Sequence, residues 1–284
     1  PFFVAEAGIN YDGNFRKCFE LIDAAKKAGA DAIKFQTHLA KHEMLDTKIT
    51  LAHSKKETVF DLMKKCEMTL NQHIKLKKYC DKKKIIFLST PFSTQAADLL
   101  KKVNVPAFKI GSGECNNFPL IEHIAKMRKP TIISTGMNSI NSVDATYKFA
   151  KKFNKQIILM HCISMYPAPS NKSMLDTITF FKKRFKCPVG FSDHSDDINL
   201  AIAAVALGAN IIEKHFTVSK KWSGPDIGLS ITPDKFGLMV KACKEIFSAK
   251  GIRDKVLKEE KPVTKFAFAS VVTIKTIKKN EKFT

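Results

Sequence analysis

The chain has 284 residues, of which 44% are apolar, so it can form the core of one large domain or of two ordinary ones. Its net charge of +21 suggests nucleic acid, but the lysines are spread over almost every predicted helix, arginine is scarce beside lysine, and no aromatic and basic RNA-binding motif is present. No stretch approaches the ~20 apolar residues of a membrane span. The composition therefore favours a globular protein without nucleic-acid or membrane partners, whose basic surface attracts small anionic substrates.

The cysteines indicate a reducing compartment. There are seven, an odd and scattered set without CxxC spacing. Such a set is typical of reduced thiols rather than of a disulfide framework or a zinc site. The first residues have the pattern of a strand and turn rather than of a secretory signal. We therefore expect a cytoplasmic location.

Short strand-like runs alternate with helical runs from the amino end to about residue 248. The predicted strands are Phe2–Ala7, Ala32–Thr37, Ile85–Thr90, Ala107–Ser112, Thr131–Gly136, Gln156–Cys162, Val189–His194 and Asn210–Phe216. The helices that follow them are Phe15–Ala28, Leu70–Lys84, Gln95–Val103, Pro119–Met127, Ser142–Phe153, Met174–Phe185, Asn199–Leu207 and Pro233–Phe247. Eight such units predict an α/β fold, the (β/α)₈ TIM barrel, over residues 1–248. An open doubly wound sheet is the alternative, but no GxGxxG follows the first strand.

Two regions depart from this alternation. The run His38–Asp61 is long and polar, and we expect it to be a loop over the barrel mouth. Residues 249–265 are charged without a clear period and are predicted to be a linker. Residues 266–284 contain a β-like pattern, Phe266–Ile277, which predicts the first strand of a small second domain that is cut off at Thr284.

Two lysines inside predicted barrel strands, Lys34 in AIKFQT and Lys109 in AFKIGS, give the sharpest functional signal. A lysine between apolar neighbours is costly to bury unless it meets an anion. Internal salt bridges, for example to Glu6 or Glu213, are one alternative, and a Schiff-base lysine as in class I aldolases is another. The predicted strand ends also carry hydroxyl groups, which favour a pocket for a phosphate and a carboxylate over either alternative: Thr90, Ser112, Ser134 and Ser192.

His194 and His215 follow the seventh and eighth predicted strands, which are joined through a helix. Because such strands are parallel neighbours, the two imidazoles should open on the same face of the barrel. Two imidazoles there can bind a divalent metal. The alternative is a pair of ordinary hydrogen-bonded histidines at strand ends, and two histidines taken alone favour that alternative. The basic pocket beside them favours the metal pair.

The chain resembles the sialic acid synthase family in ten stretches that occur in the expected order between Phe3 and about Val272. These are AEAGIN, IKFQTH, FLSTPFS, FKIGSGECNNFPLI, IISTGMNSI, HCISMYPAP, GFSDHSDD, IEKHFT, GPDIGLS and KPVTKFAFASVV. The resemblance implies a (β/α)₈ barrel followed by an antifreeze-like domain. It also implies a domain-swapped homodimer and a transferase that condenses phosphoenolpyruvate with N-acetylmannosamine to give N-acetylneuraminic acid and phosphate.

The resemblance also assigns roles to individual residues. His194 and His215 match the family's ligands for a divalent ion, with Mn²⁺ expected first and Mg²⁺ or Co²⁺ as alternatives. The residues that match the phosphoenolpyruvate pocket are Lys34, Thr90, Lys109, Ser112, Ser134 and Ser192. The residues that match groups around the sugar and the metal-bound water, where the catalytic side chains are expected, are Glu6, Gln36, Tyr166, Glu213 and Asp226.

Two departures from the family pattern concern the sugar. Ser164 stands where some members carry Asn beside the acceptor, and the arginine that the antifreeze-like domain supplies is absent from this sequence. A legionaminate or pseudaminate synthase, which uses a 2,4-diacetamido-trideoxy hexose, is therefore an alternative. His38 in QTHLAKHEM and the GSGECNN stretch favour the N-acetylneuraminate branch.

Overall fold

Parallel strands form the centre of the protein in a computed structural model that describes residues 1–51 and 54–282. The strands are β1 (Phe2–Gly8), β2 (Ala32–Thr37), β3 (Thr50–Leu51), β4 (Ser54–Thr58), β5 (Ile86–Pro91), β6 (Phe108–Ile110), β7 (Thr131–Ser134), β8 (Ile157–Cys162), β9 (Val189–Asp193) and β10 (Ile211–His215). All except β3 and β4 belong to one sheet with the order β5-β2-β1-β10-β9-β8-β7-β6, and its paired neighbours are parallel. Its two end strands contact each other, so the sheet curls into a nearly closed barrel. The predicted TIM barrel is confirmed, and each predicted strand is correct to within two residues at either end.

The described residues contain eleven α-helices, several of which connect successive barrel strands as predicted. They are α1 (Phe15–Lys27), α2 (Ala40–Glu43), α3 (Val59–Lys65), α4 (Leu70–Lys83), α5 (Thr94–Val103), α6 (Phe118–Ala125), α7 (Ile140–Lys151), α8 (Asp176–Phe185), α9 (Asn199–Ala206), α10 (Pro233–Ser248) and α11 (Lys261–Ala267). Side-chain caps fix where several of them begin. Thr69, for example, accepts from the backbone N–H of Gln72, whose side chain accepts from that of Thr69. In the described part of the chain, no helix has the length and apolar character needed to cross a membrane.

An apolar layer inside the barrel determines where the polar pocket begins. The layer takes one residue from each of six strands: Val4, Ala32, Leu88, Ile132, Met160 and Ile211. Alternate residues of a strand face the same side, so the inward residues two positions further on lie one layer closer to the carboxyl ends. Those residues are Glu6, Lys34, Thr90, Ser134, Cys162 and Glu213. Gly190 of β9 lies against this apolar layer, because a Cβ there would lie 2.9 Å from the Cβ of Ile211.

The region predicted to be a loop over the barrel mouth contains regular structure. It includes the short helix α2, the antiparallel pair of β3 and β4, and the start of α3 at Val59. Residues 52 and 53, which the prediction also covered, lie outside the described residues. Thr58 caps α3 by accepting a hydrogen bond from the N–H of Asp61. Helix α3 has seven residues, and only its first three lie inside the predicted loop, too few to show a helical period.

The chain divides into two compact units, Pro1–Ala249 and Lys250–Thr284. In the second unit the predicted strand Phe266–Ile277 is wrong. Helix α11 extends to Ala267, and residues 268–282 form neither helix nor strand. A β-like sequence becomes a strand only when a partner strand completes its hydrogen bonds, and the described part of this unit contains none. The assignment of residues 266–284 to an antifreeze-like domain stays a prediction.

Candidate active site

The structure brings together every residue that the sequence predicted for the site. They line one cavity of about 560 Å³ at the carboxyl ends of the barrel strands. The predicted residues found there are Glu6, Lys34, Gln36, Thr90, Lys109, Ser112, Ser134, Tyr166, Ser192, His194, Glu213, His215 and Asp226. The geometry therefore supports a single functional site, while the individual roles stay predictions.

Two buried ion pairs form the floor of the cavity. Lys34 Nζ lies 2.7 Å from Glu6 Oε2 and donates to Thr90 Oγ1 at 3.0 Å. Lys109 Nζ donates to both carboxylate oxygens of Glu213, at 2.9 and 3.0 Å. Each lysine side chain is only 4% exposed. The salt bridges that the sequence offered as an alternative are thus present, and the hydroxyl-lined pocket is present with them.

The two carboxylates differ in their protonation. Burial raises the pKa of Glu6 to about 7, because the loss of solvation outweighs the attraction of Lys34. Burial also disfavours charge on Glu213, but Lys109, Lys34 and a hydrogen bond from Ser192 at 3.0 Å outweigh it and lower its pKa to about 2. Near neutral pH, Glu213 is therefore a fixed negative charge, whereas Glu6 exchanges a proton.

Hydroxyl groups form the wall next to this floor. Ser112 Oγ accepts from the backbone N–H of Gly136 at 3.1 Å and lies 3.1 Å from the sulfur of Cys162. A Cβ at Gly136 would collide with the side chains of Ser112 and Ser164, so this close approach needs glycine. Ser134, which is 4% exposed, lines the same wall. This wall presents backbone and hydroxyl donors of the kind that bind phosphate oxygens.

The two histidines stand side by side with neutral rings. Their ring centroids are 5.4 Å apart. His194 Nδ1 bonds to the carbonyl of Ile163 at 2.7 Å, which leaves a lone pair on its Nε2. Burial lowers the pKa of His194, and burial together with the positive charge of nearby groups lowers the pKa of His215 well below its usual value. Both rings are therefore in the neutral form that binds metals.

His194 and His215 have the chemistry to bind a divalent ion. His215 Nδ1 is buried without a hydrogen-bond partner among the described residues and lies 3.7 Å from Asp226 Oδ2. Within residues 1–51 and 54–282, no group of three or more His, Cys, Asp or Glu side chains is arranged to hold a metal ion. His194 and His215 would thus supply two ligands, and solvent or substrate would supply the others.

Further predicted residues surround the histidines and Glu6. The Tyr166 ring stacks on His194 with a centroid distance of 4.4 Å. Gly8 has a φ of +51°, and a Cβ built there would lie 3.4 to 3.5 Å from Glu6, Gln36 and Asp226. These three side chains therefore converge above a position where glycine provides both the backbone conformation and the space.

Sequence reasoning missed a chain of hydrogen bonds that ends at Glu6. Glu6 Oε1 accepts from Gln36 Nε2 at 3.2 Å, and Gln36 Oε1 lies 3.0 Å from His38 Nε2. His38 Nδ1 lies 2.7 Å from Glu43 Oε1, and its ring stacks on Phe92 at 4.3 Å. A signal for His38 was available, because it continues the two-residue alternation of inward residues along β2 beyond the strand end.

An apolar wall was also missed. Ile9, Met44, Met63, Phe92 and Met137 line the same cavity. Met44 comes from the region predicted to be a polar loop, and Met63 follows that region on α3. Without knowledge of α2 and α3, nothing in the sequence placed them at the barrel mouth.

Comparison with known proteins defines the class. The model of the NeuB family matches residues 21–255, so the chain belongs to the NeuB family. The resemblance to sialic acid synthases that the motifs indicated is thereby confirmed.

The chain is similar to relatives that are named for different sugar acids, so these similarities do not identify its own product. The chain is 38% identical to the N,N'-diacetyllegionaminic acid synthase of Campylobacter jejuni, over 99% of this chain and 86% of that protein. It is 33% identical to the human N-acetylneuraminate-9-phosphate synthase, over 90% of this chain and 73% of that protein. A crystal structure of the N-acetylneuraminic acid synthetase from Leptospira borgpetersenii, in complex with citrate, superposes with a TM-score of 0.84 at 31% identity, covering 93% of this chain and 90% of the other.

Proposed function

We propose that this chain is a transferase that condenses phosphoenolpyruvate with the aldehyde of an N-acetylated amino sugar, giving a 2-keto sugar acid and phosphate. N-acetylmannosamine, which would give N-acetylneuraminic acid, is the first candidate acceptor. One observation carries the proposal. Two buried lysines, each neutralised by a carboxylate, lie in a hydroxyl-lined cavity beside two neutral histidines.

The lysines and hydroxyl groups account for the anionic substrate. Lys34 and Lys109 are held in low-dielectric surroundings, where a charge interaction is stronger than in water. The carboxylate and phosphate of phosphoenolpyruvate would replace part of the interaction that Glu6 and Glu213 now make with them. Ser112 would hold an oxygen of the phosphate. These groups orient the substrate and stabilise developing charge without forming covalent bonds.

His194 and His215 would hold the divalent ion, with Mn²⁺ as the first candidate and Mg²⁺ or Co²⁺ as alternatives. The ion would contribute Lewis-acid polarisation of a carbonyl group. Tyr166 restricts the ring of His194 by stacking on it, and the backbone carbonyl of Ile163 fixes which ring nitrogen carries the proton.

The carbon and proton changes balance within the site. The C2=C3 electron pair of phosphoenolpyruvate forms the bond from C3 to the aldehyde carbon, which leaves an alkoxide on the sugar and an electron-poor C2. Water adds to C2 and loses one proton to Glu6, which passes a proton to the alkoxide. The C2–O bond to phosphate then breaks with its electron pair going to phosphate, and the hydroxyl on C2 gives its proton to that phosphate as it becomes the 2-keto group. Glu6 is the proton acceptor for the water, since its pKa of about 7 is matched to neutral pH. Glu213 remains ionised as a charge partner of Lys109, and Gln36 and Asp226 would contact the sugar.

A specific observation favours a second acceptor. Part of the cavity is apolar, because Ile9, Met44, Met63 and Phe92 form one wall. A 2,4-diacetamido-trideoxy hexose carries an extra acetamido methyl group and a deoxy methyl group that such a wall would accommodate. The similarity to a diacetyllegionaminic acid synthase supports the same choice.

Phosphate release is the direct test. The protein would be supplied with Mn²⁺, phosphoenolpyruvate and, in parallel, N-acetylmannosamine, its 6-phosphate or a 2,4-diacetamido-trideoxy hexose. We expect phosphate to appear only with sugar present, and the preferred sugar identifies the acceptor. Trapping of an imine on Lys109 by borohydride would instead support a Schiff-base aldolase, and phosphate release with no sugar would contradict the proposal.

We also propose a cytoplasmic location and a homodimeric assembly. The cysteines support the first of these, because all seven are free and six are buried. Sedimentation of the purified protein would test the second.

A further inference from the structure

A buried ion pair lies behind the two histidines. Asp193 of β9 and Lys214 of β10 each precede one of them in the chain, and their side chains are 2.9 Å apart. Lys214 is fully buried, and the Asp193 side chain is 1% exposed. Neither residue lines the cavity, because alternate residues of a strand point to opposite faces. This pair is therefore separate from the groups that would contact substrate.

The pair secures the backbone directly after His194. Lys214 Nζ donates to the carbonyl oxygen of Ser195 at 2.6 Å and lies 3.2 Å from its hydroxyl. Asp193 Oδ1 accepts from the N–H of Ser195 at 2.9 Å. The residues before and after His194 are thus both held by Lys214. On β10, His215 is the residue directly after that lysine.

The ion pair also joins β9 to β10 directly before the two histidines. Lys214 and Asp193 are paired in the parallel register of β9 and β10, one residue before the two histidines. On the cavity side, Ser192 donates to Glu213 at 3.0 Å and joins the same two strands. The strands are therefore fastened on both faces immediately before the two imidazoles project into the cavity.

Stability alone is a poor explanation for the pair. Replacing a buried ion pair with apolar residues of similar volume is often neutral or stabilising, because removing two charges from water is costly. A buried pair does, however, fix geometry, since each charge has to meet its partner. We infer that Asp193 and Lys214 are positioning residues that hold His194 and His215 at the spacing needed to bind a divalent ion. This inference rests on the metal site of the proposed function.

Metal affinity tests the inference independently of catalysis. The double variant Asp193→Leu/Lys214→Met removes both charges and keeps an apolar packing partner. We expect its apoprotein to unfold at a temperature close to that of the wild type. We expect its Mn²⁺ affinity, measured from the free-ion electron paramagnetic resonance signal, to fall about 10–100-fold, the range for residues that orient metal ligands. The Co²⁺ absorption spectrum should change as well, because it reports ligand geometry.

Two further variants keep the test decisive. Asp193→Asn preserves the size of the side chain and an acceptor for Ser195, and should weaken Mn²⁺ binding less than the double variant does. Lys182→Met removes a lysine that donates to the carbonyl of Gly208 at the opposite end of β10, and should leave Mn²⁺ affinity unchanged. A lowered unfolding temperature with unchanged affinity and Co²⁺ spectrum in the folded variants would show a merely structural pair and overturn the inference. Failure of the wild type to bind Mn²⁺ would instead overturn the proposed metal site itself.

Discussion

Two buried carboxylates in the cavity, Glu6 and Glu213, each pair with a lysine but differ in their pKa values. On the β1 side, Glu6 makes an ion pair with Lys34 and accepts an amide hydrogen bond from Gln36. On the β10 side, Glu213 accepts two hydrogen bonds from Lys109 and one from Ser192. Both are buried, yet the pKa of Glu6 rises to about 7 and that of Glu213 falls to about 2. Lys109 and Lys34 both attract Glu213, whereas Glu6 is attracted mainly by Lys34 and is repelled by the negative charge of Glu213.

Because their pKa values differ, the two carboxylates are suited to different tasks in the same pocket. A carboxylate that stays ionised balances the lysines and fixes their position. A carboxylate with a pKa near neutrality gives and takes protons. Such a divergence of two neighbouring acids is a common way to obtain acid–base chemistry at pH 7. The β1 side is therefore the proposed proton-transfer side, and the β9–β10 side, with the two histidines, is the side of fixed charge and of the proposed metal site.

The largest effect should come from His215→Ala. It removes one of the two neutral imidazoles of the proposed metal site and would leave the ion with a single histidine ligand. We expect phosphate release with saturating Mn²⁺ to fall about 10³-fold or more, since a Lewis-acid metal contributes several kcal/mol. His123→Ala is the matched control, because that ring bonds to Asp98 between outer helices. Full activity of His215→Ala in metal-free buffer would contradict the two-histidine site.

Glu6→Gln should have the next largest effect, on the proton-transfer side. A base acts only when ionised, so the wild-type rate should rise with pH through about 7 and then level off. Burial lowers the pKa values of both histidines, which moves their titration away from pH 7, so we assign the rise to Glu6. We expect kcat to fall about 10²-fold and the rise to disappear. Measurement of kcat, and of kcat/KM, whose pH profile reports groups of the free enzyme, from pH 6 to 8 checks both. An unchanged pH profile would assign the proton to another group.

The sequence predicted the barrel and the floor of its pocket for a definite reason. Strand period, helix period and glycine stops act locally, and a closed parallel barrel then places all carboxyl ends on one face. Lys34 and Lys109 were recognisable because a lysine among apolar strand residues needs a partner. That each would pair with one particular glutamate was left open, because the partners are distant in sequence.

Other features depended on tertiary structure. His38 and Glu43 meet because α2 folds back over the end of β2, and a four-residue helix has almost no sequence signal. The strand predicted over Phe266–Ile277 had a suitable pattern, but a pattern cannot supply the partner strand that it needs. The divergent pKa values of Glu6 and Glu213 follow from burial and neighbouring charges, which a linear sequence does not show.

Glu213→Gln should affect stability more than catalysis. It leaves the ammonium group of Lys109 buried without its negative partner, which costs about 3 kcal/mol in the free energy of unfolding. Phosphoenolpyruvate would supply the missing negative charge, so it should raise the unfolding temperature of the variant more than that of the wild type. Thermal unfolding with and without phosphoenolpyruvate measures both.

The control is Glu122→Gln, which breaks an exposed pair with Lys126 and should change the free energy of unfolding by about 0.5 kcal/mol or less. Equal substrate-induced shifts in the Glu213 variant and the wild type would contradict this role of Glu213.

His38→Asn should have the smallest effect and tests how far the proton-transfer side extends. The change removes the bond to Glu43 and loosens the amide of Gln36, which donates to Glu6. Because Glu6 keeps its ion pair with Lys34, we expect kcat to fall only about tenfold, the equivalent of about 1.4 kcal/mol for the lost orientation. The midpoint of the pH profile should also move, since the hydrogen bond to Glu6 contributes to its protonation equilibrium. His42 is exposed on α2, the short helix that also carries Glu43. The variant His42→Ala should leave both kcat and the midpoint unchanged. A lower kcat with an unmoved midpoint would confine proton transfer to Glu6 and make the bonds of His38 purely structural.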